Sequence, residues 1–369
     1  MKQIDEISLT DFDTDISAFK KVDLLVAVKS FDLQSIRKRY LDSRQRSKTG
    51  SVSRRAPSIG GLVLLSIERG IIMHQSIIAK LREPRGIDII DRQISISSEN
   101  RIYVFNKNSN LPMTIDHPWL SYIHTVRFNN KGDRILVSSS GLDIILEFEL
   151  ENGECIWEWL AWENGFDTGF DPVNNVEFRL TRSKQKAKIF IENGIDYNLI
   201  TNPQNDHLPT AMRTAFINTA EYDSNGDILA TLFHSGSVIR INKNNLSWIN
   251  IIKGLSKPHG CSTYSNTYIV TDTAHGQIII FDSKKQIQLS FRKEPGKPDS
   301  MEDLEWLQTS CVSDKTIITV DSNRSQLTFL DIKEQKKMHI TYNPEWAIQD
   351  IVILDQNSIS LLPVIRQHF

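Results

Sequence analysis

Six short segments of this chain begin alike, and each puts a polar side chain at the same place. They are Pro84-Arg85-Gly86-Ile87-Asp88, Ile123-His124-Thr125-Val126-Arg127, Ile217-Asn218-Thr219-Ala220-Glu221, Pro258-His259-Gly260-Cys261-Ser262, Leu307-Gln308-Thr309-Ser310-Cys311 and Ile348-Gln349-Asp350-Ile351-Val352. Arg85 and His124 are 39 residues apart, Asn218 and His259 41, His259 and Gln308 49, and Gln308 and Gln349 41. Periods of about 40–50 residues with several short strands in each are the signature of a β-propeller.

The same grammar recurs inside each repeat. An inner strand leads to a turn such as Asn130-Lys131-Gly132-Asp133 or Ser224-Asn225-Gly226-Asp227. A second strand follows (Ile135-Leu136-Val137-Ser138, Ile228-Leu229-Ala230-Thr231), then a polar turn and a third strand (Ile144-Ile145-Leu146-Glu147-Phe148, Val238-Ile239-Arg240-Ile241). Asn, Gly and Asp tolerate positive φ, so such turns join short β-branched runs into antiparallel hairpins. The fold predicted is all-β, a six-bladed propeller.

The last repeat supplies strands near 348–354 and 358–362, and a hairpin at 61–66 and 70–74 is placed to complete it from the N-terminal side. Pairing of the two chain ends seals the ring and removes exposed sheet edges. One interval breaks the period: His124 and Asn218 are 94 residues apart. The excess, about 162–214, is predicted to be a long insertion that serves as a lid or binding loop. The alternative is a seventh, degenerate blade built on 176–180 and 187–191. Residues 1–57 read as an N-terminal extension to a propeller at 58–369. Within it, 37–55 hold Arg37, Lys38, Arg39, Arg44, Arg46, Lys48, Arg54 and Arg55 against Asp42 alone. That stretch reads as a solvated helix or loop on the outside, with an anion or nucleic-acid contact as the functional alternative.

Charge and cysteine usage narrow the function. Lys and Arg total 43 and Asp and Glu 45, a net charge of −2, so no global field recruits nucleic acid. Cys155, Cys261 and Cys311 are widely spaced and odd in number, which argues against a disulfide framework and suits a reducing compartment. The N-terminal residues lack an apolar signal core and no apolar run approaches membrane-spanning length. The expectation is a cytoplasmic protein with a small-molecule ligand, no nucleic-acid partner and no membrane partner. The sequence does not fix the oligomeric state.

The segments Ile269-Val270-Thr271-Asp272-Thr273-Ala274-His275-Gly276-Gln277-Ile278 and Ile318-Thr319-Val320-Asp321-Ser322-Asn323-Arg324-Ser325-Gln326-Leu327 resemble NHL-type repeats, which run strand, Asp-small, short turn, strand. The resemblance covers most of 84–331 and implies a propeller of the NHL and SMP-30 kind. The blade with His124-Thr125-Val126-Arg127-Phe128, Arg134-Ile135-Leu136-Val137-Ser138 and Cys155-Ile156-Trp157-Glu158-Trp159 resembles those of bacterial arylsulfotransferases. There, channel histidines accept and position the sulfuryl group. His124, and by repeat symmetry His259, carry that role over.

In a propeller, Arg85, His124, Asn218, His259, Gln308 and Gln349 form one ring around the channel, and that ring is the candidate site. His124 and His259 are the candidate catalytic acid/base or anion-binding groups. Arg85, Asn218, Gln308 and Gln349 orient the ligand through charge and hydrogen bonds, and His207 and Arg213 in the insertion would cover it. A divalent metal, calcium or zinc, would be held by His124, Asn218 and His259. SMP-30-like sites depend on carboxylate ligands, and this ring has none. The predicted activity is group transfer, hydrolysis or elimination on a small molecule. The rival is a non-catalytic docking scaffold. No nucleophile elbow, Walker loop, dinucleotide fingerprint or His-Glu-x-x-His motif is present.

Overall fold

The computed structural model describes residues 3–44, 46, 48–264 and 266–369. Six sheets, each built on four antiparallel strands, surround a channel. Blade 1 spans Ile87–Ile90, Gln93–Ser97, Arg101–Asn106 and Met113–Asp116. Blade 2 spans Ile123–Phe128, Arg134–Ser139, Ile144–Glu149 and Cys155–Leu160. Blade 3 spans Ile217–Tyr222, Ile228–Leu232, Ser237–Ile241 and Trp248–Lys253. Blade 4 begins at His259–Tyr264 and blade 5 at Leu307–Ser313, each with three further strands in sequence order. The inner strands touch in cyclic order, that of blade 6 meeting those of blades 5 and 1.

The middle strands are sandwiched between neighbouring blades and are therefore apolar on both faces. Ile135, Leu136, Val137, Ile144, Ile145 and Leu146 of blade 2 are all fully buried. One contiguous core runs from blade 1 through blade 2 and the start of the insertion into blade 3.

Blade 6 closes the ring. Its inner strand is the C-terminal Ala347–Ile353, and its other three are Val22–Ser30, Ile59–Glu68 and Ile71–Arg82 from the N-terminal side. The expected strand at 358–362 is instead helical, within Gln356–Ile359 and Leu362–His368. Val22–Ser30 fills its place, pairing Val26 with Ile351 and Val63.

The described residues of 1–57 therefore do not stand apart as an extension. Gln3–Ser8 adds a fifth, parallel strand to blade 4, and Asp13–Thr14 does the same for blade 5. Buried Leu9 and Phe12 between them join the core shared by those blades.

The insertion is not a seventh blade. Its strands Thr168–Asp171, Val176–Thr181 and Tyr197–Leu199 form a separate small sheet, and 184–192 is a helix where the seven-blade alternative needed a strand. The inner strands of blades 2 and 3 touch directly, which leaves the insertion outside the ring. Among the described residues, no helix is long and apolar enough to cross a membrane.

Candidate functional site

The chain between the second and third strands of blade 6 crosses one mouth of the channel. It opens with the helix Leu33–Ser43, capped by Asp32, whose Oδ1 accepts from Ser35 N at 3.0 Å. The helix seats Leu33 and Ile36 against Ala347 and Trp306. The cations that follow anchor this roof. Arg37 donates to Ser322 O (2.7 Å) and Asn323 O (2.9 Å) on blade 5, and Lys48 donates to Arg213 O (2.8 Å). Arg54 bonds Asn205 O in the insertion, and Arg55 pairs with Glu83 at the start of blade 1. On blade 4, Lys257 Nζ donates to the Tyr40 hydroxyl at 2.8 Å. The basic stretch is thus a roof docked on the propeller through Arg37, Lys48 and Arg55, while Lys38, Arg39, Arg44 and Arg54 stay exposed.

Beneath the roof lies a cavity of about 160 Å³, room for on the order of five waters. Five of the six ring residues border it: Arg85, His124, His259, Gln308 and Gln349. Asn218, the sixth, is fully buried, gives Nδ2 to Pro258 O (3.1 Å) and leaves Oδ1 without a partner.

Four blades enter their inner strands through a left-handed residue two positions before the ring: Glu83 (φ 46°), Tyr122 (47°), Phe216 (48°) and Lys257 (55°). Such backbone is costly for residues other than glycine and clusters at functional sites. All four side chains furnish the mouth. Glu83 receives Arg55 Nη1 at 2.7 Å and also bonds Arg85. Tyr122 lies under the guanidinium groups of Arg55 (5.5 Å), Arg85 (5.8 Å) and Arg213 (5.4 Å). Phe216 stands edge-on to His124 at 5.5 Å.

The two histidines differ. With the proton assigned to His124 Nδ1, that nitrogen donates to Tyr122 O (3.3 Å) and faces Ser140 Oγ (2.6 Å), and Arg85 Nη1 lies 3.2 Å from it. Nε2 then accepts from Arg85 Nη1 at 2.5 Å. Both nitrogens are occupied, so His124 aims Arg85. In His259, Nδ1 donates to Lys257 O (3.2 Å) and sits 2.8 Å from Thr273 Oγ1, which leaves Nε2 as a free acceptor.

Burial first, then the surrounding cations, holds His124 well below the usual histidine range. Burial and Lys29 pull His259 down to about 3. Burial and Lys48 take His234, bonded to Thr210 O at 2.9 Å, to about 3 as well. Each binds its proton more weakly folded than unfolded, so the unfolded chain gains protons first as the pH falls. Stability therefore drops from about pH 6.5 toward 3, by on the order of 1 kcal/mol per pH unit at most for each of these histidines. Thermal unfolding between pH 7 and 5 should show a falling Tm, with a shallower fall in His259→Gln. A flat profile would contradict the neutral-histidine arrangement.

These residues do not form a metal site. Arg85 takes the outward nitrogen of His124, Asn218 is turned to Pro258, and Lys29, Arg39, Arg55 and Arg85 surround the cavity with positive charge. Among the described residues, no group of three or more His, Cys, Asp or Glu could hold an ion. His207 and Arg213 reach a small adjoining pocket that shares Arg55, Arg85 and Thr210 with the main one. Arg213 is 3% exposed, held over Phe216 at 4.8 Å.

Sequence reasoning missed Lys29, Tyr40 and Glu83, and it counted Arg39 and Arg55 only within the basic stretch, not in the ring's site. Lys29 had a signal in the repeats. Strand registers place Lys29, the penultimate residue of the second strand of blade 6, level with Ser140 and Thr273, which follow the second strands of blades 2 and 4. Ser140 and Thr273 meet the ring histidines, and Lys29 borders the cavity from that same position. Its Nζ has no hydrogen-bond or ion-pair partner among the described residues. Burial and the nearby Arg85, only partly offset by Glu83, bring its amine down to about 7.

No family model and no curated protein matches the chain. Solved structures do. A protein of unknown function from Bacteroides caccae is 14% identical with a TM-score of 0.54, over 91% of this chain and 100% of that one. A chain of a nidogen/laminin complex is 11% identical with a TM-score of 0.50, over 90% of this chain and 98% of that one. Virginiamycin B lyase from Staphylococcus aureus is 11% identical with a TM-score of 0.45, over 71% of each chain. Identities this low speak to the fold alone: this chain is a six-bladed β-propeller.

Proposed function

We propose that this propeller is an enzyme acting on a small, partly apolar anion held under the roof. The observation that carries the reading is the charge of the cavity. Lys29, Arg39, Arg55 and Arg85 border it, and the nearby carboxylate of Glu83 is already spent on Arg55 and Arg85. Two further features support an organic ligand. Tyr40, Phe216, Phe233 and Trp306 give the cavity an aromatic side. Gln308 Nε2, Gln349 Oε1 and Arg85 Nε are buried without partners, and buried polar atoms left open at a cavity await a ligand or water.

In this reading Arg39 and Arg85 bind the anionic group, Gln308 and Gln349 orient its polar substituents, and His259 Nε2 accepts a hydrogen bond or proton. His124 is a positioning residue for Arg85. Group transfer, hydrolysis and elimination all build negative charge that this arginine set would stabilise.

Calorimetry with benzoate and its neutral isostere benzamide tests the reading. Benzoate should bind and benzamide should not. Arg39→Ala, which removes a cation with no structural partner among the described residues, should weaken benzoate about 10-fold or more, the scale of one charge-assisted hydrogen bond. Equal binding of both compounds, or an unchanged Arg39→Ala, would sink the anion site. Binding without turnover of any anionic ester tried would favour a scaffold.

A further inference from the structure

We infer that Lys29 is the amine nucleophile of this cavity and forms an imine with the carbonyl carbon of a small oxo acid. The inference rests on the anion-binding reading above and names the substrate class.

Three observations lead there. First, Lys29 lies one residue before the end of the second strand of the closing blade, level with the position from which Ser140 and Thr273 bond their histidines, so the fold aims its side chain at the channel mouth. Second, it is unpaired. Arg55 and Arg85 share Glu83, and Lys257 is held by Tyr40. Of the four cations bordering the cavity, Lys29 and Arg39 alone lack a hydrogen-bond or ion-pair partner among the described residues. Third, the two differ in chemistry. Arg39, on the exposed side of the roof helix, keeps its charge and presents a fork suited to a carboxylate. Lys29 is partly buried, and the charges around it are mostly positive: Arg85, Arg55 and Arg39 against Glu83. A desolvated lysine beside other cations sheds its proton readily and becomes a nucleophile, which an arginine cannot do. A site that only bound anions would be served at least as well by a fourth arginine.

The step balances within the protein, substrate and solvent. Neutral Nζ adds to the carbonyl carbon, and its proton passes to the carbonyl oxygen to give a carbinolamine. That hydroxyl leaves as water after taking a proton from solvent, and the C=N bond forms with Nζ keeping its remaining hydrogen, so the imine is protonated. The protonated imine draws electrons from the adjacent bond, which permits loss of carbon dioxide, carbon–carbon cleavage or β-elimination. Hydrolysis then returns the amine. No oxidant or reductant is consumed.

The test is reductive trapping on the full chain. Pyruvate and phenylpyruvate are incubated with the protein and sodium cyanoborohydride, and the adduct is located by peptide mass spectrometry. The expected result is labelling concentrated at Lys29, absent in Lys29→Arg and Lys29→Met. Its rate should rise through about pH 7, whereas ordinary lysines respond near pH 10.4. Labelling spread over surface lysines, with Lys29 no more reactive than the rest, overturns the inference whether or not the variants fold. Benzoate binding separates the two proposals. If the wild type binds benzoate and shows no Lys29 adduct, the amine role fails and the anion site stands. If benzoate does not bind, the site itself fails.

Discussion

Glu83→Ala should lose about 3–5 kcal/mol of stability, the cost of leaving buried charge unpaired. Glu83 is 1% exposed and joins Arg55 of the roof to Arg85 of the ring, with Ser58 N also reaching its Oε2 at 3.3 Å. Burial alone would raise its carboxyl, but Arg85 and Arg55 more than offset that and hold it at about 2. Removing it leaves two guanidinium groups facing each other beside Lys29. The variant should melt roughly 5–10 °C below the wild type, and its roof should be cut first in limited proteolysis, within 44–58. Glu83→Gln, which keeps the shape and loses the charge, should fall between the two. A Glu83→Ala protein as stable as the wild type would mean that the roof is held by its other anchors alone.

Removing the chain after residue 345 should abolish folding. Ala347–Ile353 is the inner strand of blade 6, and its Ile348 and Ile351 are 1% and 2% exposed. Without it the strand Val22–Ser30 becomes an apolar edge at the centre of the ring, and blades 5 and 1 lose the surface they close upon. The truncated chain should be insoluble or lack cooperative unfolding by circular dichroism, and a synthetic peptide of residues 345–369 should restore part of the transition. A soluble truncation with an unchanged Tm would show that the other blades suffice.

The inner ring was legible because it is local. A polar residue at the head of a short β run, repeated at near-constant spacing, marks a wet channel without knowledge of any partner, and Arg85, His124, His259, Gln308 and Gln349 do meet at one cavity. Val22–Ser30 was not legible in the same way. Its sequence VDLLVAVKS reads as a strand, but its inner-strand partner lies more than 300 residues away, and a 28-residue excursion separates it from the next strand of its blade. Lys29 was lost with it. The basic stretch failed for another reason. Charge patterning counts cations but says nothing of the carbonyls and carboxylates that Arg37, Lys48 and Arg55 find on other blades. Residues 358–362 and 187–191 are short apolar runs, which period-2 and helical readings divide poorly, and both became helical.

Blade 6 also dictates a timetable. Gln3–Ser8, Asp13–Thr14 and Val22–Ser30 are made well before Lys285–Ser290, Lys336–Thr341 and Ala347–Ile353, the strands they pair with. On the ribosome Val22–Ser30 must wait for the five intervening blades, and such distant pairing is slow to form. Lys29 and the roof share that wait. Chains made only as far as blade 5 therefore carry no assembled site, and the amine is gathered in among its arginines only once Ala347–Ile353 has emerged.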